Sequence, residues 1–241
     1  MDGYLMKVGA GMTFSSGFTR RFPDIWRCIA LTASLTLLSF GAFPVAAKES
    51  AKSHERVMVF GDSLSAAYGI SPKDGWVTLM GAKLQSQGVA VVNASISGET
   101  TLGGLNRIKG DLARLRPTVV ILALGANDGL RGLPNANTRK NLEAIIVASR
   151  SASARVVLVG VQIPPNYGLE YSQQFREIYA DLAGKYKLPL VPFLLEGFAD
   201  KLELFQADRL HPTAAAQPRI VDNVTPALSQ AIAKPSTPAR R

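Results

Sequence analysis

The sequence predicts an α/β protein: a single domain of three layers, α/β/α, built on a five-stranded, mostly parallel sheet. Three observations predict it. Short β-branched apolar runs alternate with helix-periodic segments between residues 56 and 233. One run, Thr118–Leu124 (TVVILAL), is apolar without alternation, as a strand buried on both faces must be. Polar, glycine-bearing clusters follow the strands, and open parallel sheets hold ligands beyond the carboxyl ends of their strands. At 241 residues the chain can bury a full core, and 47% apolar against 19% charged residues excludes intrinsic disorder.

The first 47 residues read as an export signal. Arg20, Arg21 and Arg27 precede an uncharged run, Cys28–Ala47, that ends Val45-Ala46-Ala47 before Lys48, with small residues where a signal peptidase cuts. Cleavage near Ala47 would leave a periplasmic or secreted mature protein that does not span the membrane. The alternative is an anchor through residues 28–47, since 20 uncharged residues approach a spanning length. Ser, Thr, Gly and Pro dilute that run and favour cleavage. The stretch before Arg20 is long for a signal, so Met6 and Met12 are alternative starts. Residues 1–47 hold four of the 27 basic and two of the 18 acidic residues, so the mature part keeps 23 and 16, a net charge of +7. Cleavage also removes Cys28, the only cysteine, and with it any disulfide or thiol nucleophile within the monomer.

Residues 48–55 read as a linker. The first strand is Arg56–Phe60, ending in Gly-Asp-Ser. Gly75–Gln87 carries Trp76, Leu79, Met80, Lys83 and Leu84 at helical spacing, with Gly88 as the stop. Val89–Asn93 is the second strand. Gly104–Leu115 is a helix closed by Arg116-Pro117, and Thr118–Leu124 is the third strand. A helix over Ala136–Ser151, a strand at Val156–Val161 and a helix at Tyr171–Tyr186 follow. Leu188–Pro192 is a short fifth strand, and Thr213–Ala233 the last helix, with a proline near its start. Residues 234–241 are a polar tail.

The formal charge of +9 admits an anionic partner, but the basic residues are scattered. Their adjacent pairs are Arg20-Arg21, Arg139-Lys140 and Arg240-Arg241, which is a solvated surface and not a nucleic-acid stripe. No CxxC, HExxH or EF-hand spacing occurs, so no metal site is expected. No GxGxxG follows the first strand, which excludes a dinucleotide module. Asn93-Ala94-Ser95 and Asn223-Val224-Thr225 match the glycosylation sequon and are read as chance.

The segments after the strands carry the chemistry. Gly61-Asp62-Ser63-Leu64-Ser65 follows the first strand, and Ala94-Ser95-Ile96-Ser97-Gly98-Glu99-Thr100 the second. Gly125-Ala126-Asn127-Asp128-Gly129 follows the third, and Asp208-Arg209-Leu210-His211-Pro212 comes after the fifth. Taken singly, Ser63 is a helix N-cap, Asn127 a turn residue, Gly98 a loop glycine and Asp208 with His211 a surface pair. Together they are a nucleophile, an amide donor, a backbone donor and a base with its carboxylate, the set that acyl transfer requires. A serine hydroxyl needs a base. The mature chain has two histidines, and His54 precedes the first strand, where ends fray, which leaves His211 as the base. Asp208 would orient its ring, while the amides of Ser63 and Gly98 and the side chain of Asn127 would hold the oxyanion.

The ordered blocks GDSLS, SGET, GxND and DxxHP resemble those of the SGNH (GDSL-type) hydrolases, over about residues 56–233. The likeness extends to the exported bacterial thioesterase, arylesterase and lysophospholipase subgroup through the stretches at 93–100, 127–132 and 164–168. It implies a flavodoxin-like SGNH hydrolase fold with the serine at the start of a helix, no metal and no cofactor. The catalytic residues it implies are Ser63, Asp208 and His211, with Ser63, Gly98 and Asn127 as the oxyanion hole. The family's third block usually has glycine at the position of Ala126. The substrate would be a small acyl ester, thioester or lysophospholipid. By the same resemblance Ile163, Pro164, Pro165, Asn166 and Tyr167 line the acyl groove; the alternative is a plain connector stiffened by two prolines. Two rival functions are a carbohydrate deacetylase on the same scaffold and a catalytically silent binding protein.

Overall fold

The computed structural model describes residues 55–233. The expected signal segment, most of the linker including His54, and the polar tail lie outside the described residues. Five strands, β1 (Arg56–Gly61), β2 (Ala90–Asn93), β3 (Val119–Ala123), β4 (Arg155–Val159) and β5 (Leu190–Val191), form one sheet in the order β2-β1-β3-β4-β5. Every neighbouring pair is parallel, so the sheet expected to be mostly parallel is wholly so. The helices are α1 (Trp76–Gln85), α2 (Thr101–Leu115), α3 (Ala126–Leu130), α4 (Asn135–Ser151), α5 (Leu169–Tyr186) and α6 (Gln217–Ala233).

The pleat divides the strands into two cores. Val57, Val59, Val119, Ile121, Val157 and Val159 face one side, where Trp76 and Met80 of α1 and Ile220 and Val224 of α6 cover them. Met58, Phe60, Val120, Leu122 and Leu158 face the other, under Ile108 of α2, Leu142 and Ile146 of α4, and Phe175 and Ile178 of α5. All five residues of β3 are buried, which is why the TVVILAL run lacks polar alternation.

Several boundaries depart from those expected, each for a local reason. The helix expected from Gly104 begins at Thr101, because the Thr100 side chain accepts the Gly103 amide at 3.2 Å and caps it. β5 is two residues long because Pro189 and Pro192 bracket it and supply no N–H to the ladder. Glu55, expected as linker, is tied to the sheet: its carbonyl accepts the Ala90 amide at 2.8 Å, and its carboxylate meets Arg155 and Thr118. The last helix is preceded by a short 3-10 turn, Ala214–Ala216.

Because β2 lies on one side of β1 and β3 on the other, successive connections leave the sheet in opposite directions between β1 and β3. A crevice opens at such a switch point, beyond the carboxyl ends of the strands. The loops after β1 and β3 therefore face one another there.

Candidate active site

The turn after β1 presents Ser63. It is not the helix start implied by the family resemblance: residues 63–69 are a run of turns. The Asp62 carbonyl accepts the amides of Ser65 (3.1 Å) and Ala66 (2.9 Å), but Ala67 at φ 58° and Gly69 at φ 72° reverse the chain before a helix can propagate. Gly61 is required at the exit from β1, since a Cβ there would lie 2.8 Å from Ser65 Oγ and 3.0 Å from the Ala123 carbonyl. The turn is pinned by long-range donors. Asn93 Nδ2 donates to the Ser65 carbonyl at 2.8 Å and Trp76 Nε1 to that of Leu64 at 3.1 Å. The side chains of Asn93 and Asn223, the two sequon asparagines, thus donate to backbone carbonyls, Asn223 to those of Leu194 and Glu196.

His211 arrives from the far end of the chain, 148 residues away, and its Nε2 lies 2.9 Å from Ser63 Oγ. Its Nδ1 lies 2.6 Å from Asp208 Oδ2, while Asp208 Oδ1 accepts the amides of Leu210 (2.9 Å) and His211 (3.0 Å). These hydrogen bonds, the His211 amide foremost, lower the Asp208 pKa to about 2. An ionised carboxylate can only accept, so Nδ1 carries the ring proton and the Nε2 lone pair faces the serine hydroxyl. The Tyr68 ring lies against the imidazole, with centroids 4.5 Å apart. Gln206 Nε2 bridges the two loops, donating to the carbonyls of Tyr68 (2.8 Å) and Pro212 (3.2 Å).

The loop after β2 and the start of α3 complete the crevice. Gly98 has φ 78°, open to glycine, and its carbonyl accepts from Arg131 at 3.2 Å. Asn127 Nδ2 donates to the Glu99 carbonyl at 2.9 Å, which commits one of its two amide hydrogens and leaves the other. Among the described residues the backbone amides of Ser63 and Gly98 donate to no protein acceptor. At the third block Gly125, with φ 122°, takes the unusual conformation, so Ala126 fits where the family has glycine. Beneath this loop the buried Asp128 carboxylate accepts the Thr101 amide (2.9 Å) and hydroxyl (2.5 Å), locking α2 to α3. Glu99 pairs with Arg107 at 2.6 Å, and that guanidinium lies 3.9 Å above the Phe60 ring.

Ser63, Gly98, Asn127 and His211 line one cavity of about 400 Å³. Ile163 and Pro164 line it as well, on the segment leaving β4. Pro165–Tyr167 form a 3-10 turn beyond them; Asn166 and Tyr167 are exposed and not among the lining residues, and the side chain of Pro165 lies outside the described ones. Sequence reasoning missed the rest of the apolar lining, Phe193, Leu194 and Leu195 after β5 with Phe205 and Leu210, and it missed Tyr68. Their signal was only apolar residues in a connector, next to the short fifth strand. Among the described residues no group of three or more His, Cys, Asp and Glu could hold a metal ion, and no helix is long and apolar enough to cross a membrane.

A parallel-sheet fold with these residues gathered at its switch point defines a serine hydrolase of carboxylic ester or thioester bonds. The chain belongs to the GDSL-like lipase/acylhydrolase family, whose model matches residues 59–218. It is 45% identical over 176 residues to "Esterase TesA" of Pseudomonas aeruginosa, covering 72% of this chain and 88% of that one. To "Thioesterase 1/protease 1/lysophospholipase L1" of Escherichia coli K12 it is 40% identical over 168 residues, covering 70% and 80%. The crystal structure of a psychrotrophic esterase, EstA from Pseudoalteromonas sp., matches with a TM-score of 0.71 at 38% identity, over 75% of this chain and 100% of that one.

Proposed function

We propose that this esterase works as an exported acyl ester and thioester hydrolase, of arylesterase, lysophospholipase or acyl-thioester type, through a Ser63–His211–Asp208 acyl-enzyme mechanism. The observation that carries the reading is the continuous contact Ser63 Oγ to His211 Nε2 (2.9 Å) and His211 Nδ1 to Asp208 (2.6 Å). Ser63 Oγ attacks the acyl carbonyl as its proton passes to Nε2, and Asp208 stabilises the imidazolium that forms. The amides of Ser63 and Gly98 and the remaining hydrogen of Asn127 Nδ2 receive the developing oxyanion. The imidazolium then protonates the leaving alcohol or thiol, and water repeats the sequence on the acyl-enzyme. Every step uses side chains and backbone amides of this protein together with water.

The acyl chain lies along the apolar lining formed by Ile163, Pro164, Phe193 and Leu194, in a volume of about 400 Å³. The names of the relatives, an esterase and a thioesterase/lysophospholipase, fit acyl substrates of this kind. Export rests on the basic, apolar and small-residue pattern of residues 20–47, with release near Ala47.

The test is hydrolysis of p-nitrophenyl esters and acyl thioesters of increasing chain length by the wild type and by Ser63→Ala. The wild type cleaves both series with a chain-length optimum. Ser63→Ala and His211→Ala each lose activity by up to about 10⁶-fold with the fold intact. A Ser63→Ala protein with wild-type turnover would end the reading.

A further inference from the structure

The cavity has a single charged feature that the acyl-transfer chemistry leaves unused. Arg209 is the only Lys, Arg, Asp or Glu among the described residues lining it; the other walls are apolar or neutral. Its guanidinium makes no hydrogen bond or ion pair among the described residues, although Asp208 is its chain neighbour, because that carboxylate is committed to His211 and to two backbone amides. Its backbone sits at φ 57°, left-handed, where a long side chain is disfavoured and glycine is at home.

We propose that Arg209 binds a phosphate group carried by the leaving alcohol or thiol, making it a specificity-determining residue; the inference rests on the acyl-transfer reading above. The side follows from the proton path. His211 must reach the leaving atom to protonate it, and Arg209 sits two residues earlier in the same turn, whose amides at 210 and 211 are fixed by Asp208. The apolar walls contributed by Ile163, Pro164 and Phe193 take the acyl chain instead. A guanidinium pairs with phosphate through charge-assisted, two-pronged hydrogen bonds, and a mouth lined by no carboxylate does not compete with it.

Matched substrate pairs test this. Octanoyl lysophosphatidic acid is compared with monooctanoylglycerol, and octanoyl-coenzyme A with octanoyl-pantetheine, as the ratio of kcat/KM within each pair. The proposal expects Arg209→Gly to lower that ratio by about tenfold in at least one pair, and the pair that responds identifies a lipid or a coenzyme as the source of the phosphate. Arg209→Lys retains most of the ratio, and raising ionic strength lowers it in the wild type. Glycine suits φ 57°, so the variant folds, and its thermal melt checks that. Ratios unmoved by Arg209→Gly in both pairs overturn the proposal. So does an equal fall when the anion is on the acyl side, tested with p-nitrophenyl hydrogen adipate against p-nitrophenyl hexanoate. Retained hydrolysis by Ser63→Ala would instead remove the underlying reading.

Discussion

Asp208 and Asn127 are each held in place by hydrogen bonds visible in the resting site. The Asp208 pKa of about 2 means that it stays ionised through any ordinary assay. Its folded value lies below the unfolded one of about 3.9, so its contribution to stability is complete above about pH 4 and is lost as pH falls toward 2. Asp208→Asn keeps an oxygen for the amides of Leu210 and His211 but presents the wrong partner to Nδ1. A drop in kcat on the order of 10⁴-fold is expected in a protein that still folds with a modestly lowered melt. Equal loss of fold and activity would make Asp208 a purely structural acceptor. Asn127→Ala removes the proposed oxyanion donor and is expected to lower kcat by about 10²–10³-fold with little change in KM. A change confined to KM would make Asn127 a binding group instead.

The elements that hold these residues make predictions of their own. Asp62 ends β1 with one carboxyl oxygen accepting the Leu64 amide (3.1 Å) and the other buried without a partner. Burial raises its pKa to about 7, with the Asp128 charge adding to the effect. Between about pH 4 and pH 7 the folded protein holds a proton that the unfolded chain has released, so stability declines as pH rises through that window. Asp62→Asn should flatten the decline, read as urea midpoints at pH 5 and pH 8; parallel midpoints for both proteins would refute it. Gly160 leaves β4 where a Cβ would sit 2.2 Å from the Pro192 carbonyl oxygen, which is backbone and cannot rotate away. Gly160→Ala should therefore destabilise by about 1–3 kcal/mol in urea unfolding and distort the cavity wall at Val161 and Ile163. The sequence showed why β3 is central and placed α1, α4 and α5 within two residues of their ends. It hid the turn at Ser63, because the left-handed Ala67 carries no compositional mark, and it hid α3, which at five residues is shorter than a helical pattern needs.

Across the whole molecule, the β2-β1-β3-β4-β5 order turns four distant blocks into one site. The placement of Ser63, Gly98 and Asn127 in the loops after β1, β2 and β3 was legible in the sequence, and so was the Asp208-x-x-His211 spacing. The bridge from Gln206 to Tyr68 and Pro212 was not, because a glutamine donating to two backbone carbonyls leaves no spacing to read. The rest of the apolar lining was hidden for a related reason: Phe193 and Leu194 reach the cavity only when β5 pairs with β4. This long-range assembly makes the contact between Ser63 and His211 the claim on which the rest depends. Mass spectrometry after treatment with a p-nitrophenyl alkylphosphonate tests it most directly. The account predicts one stoichiometric adduct, on the peptide containing Ser63, forming at least about 10³-fold more slowly in His211→Ala. Labelling at another residue, or at Ser63 with the same rate in His211→Ala, would contradict it.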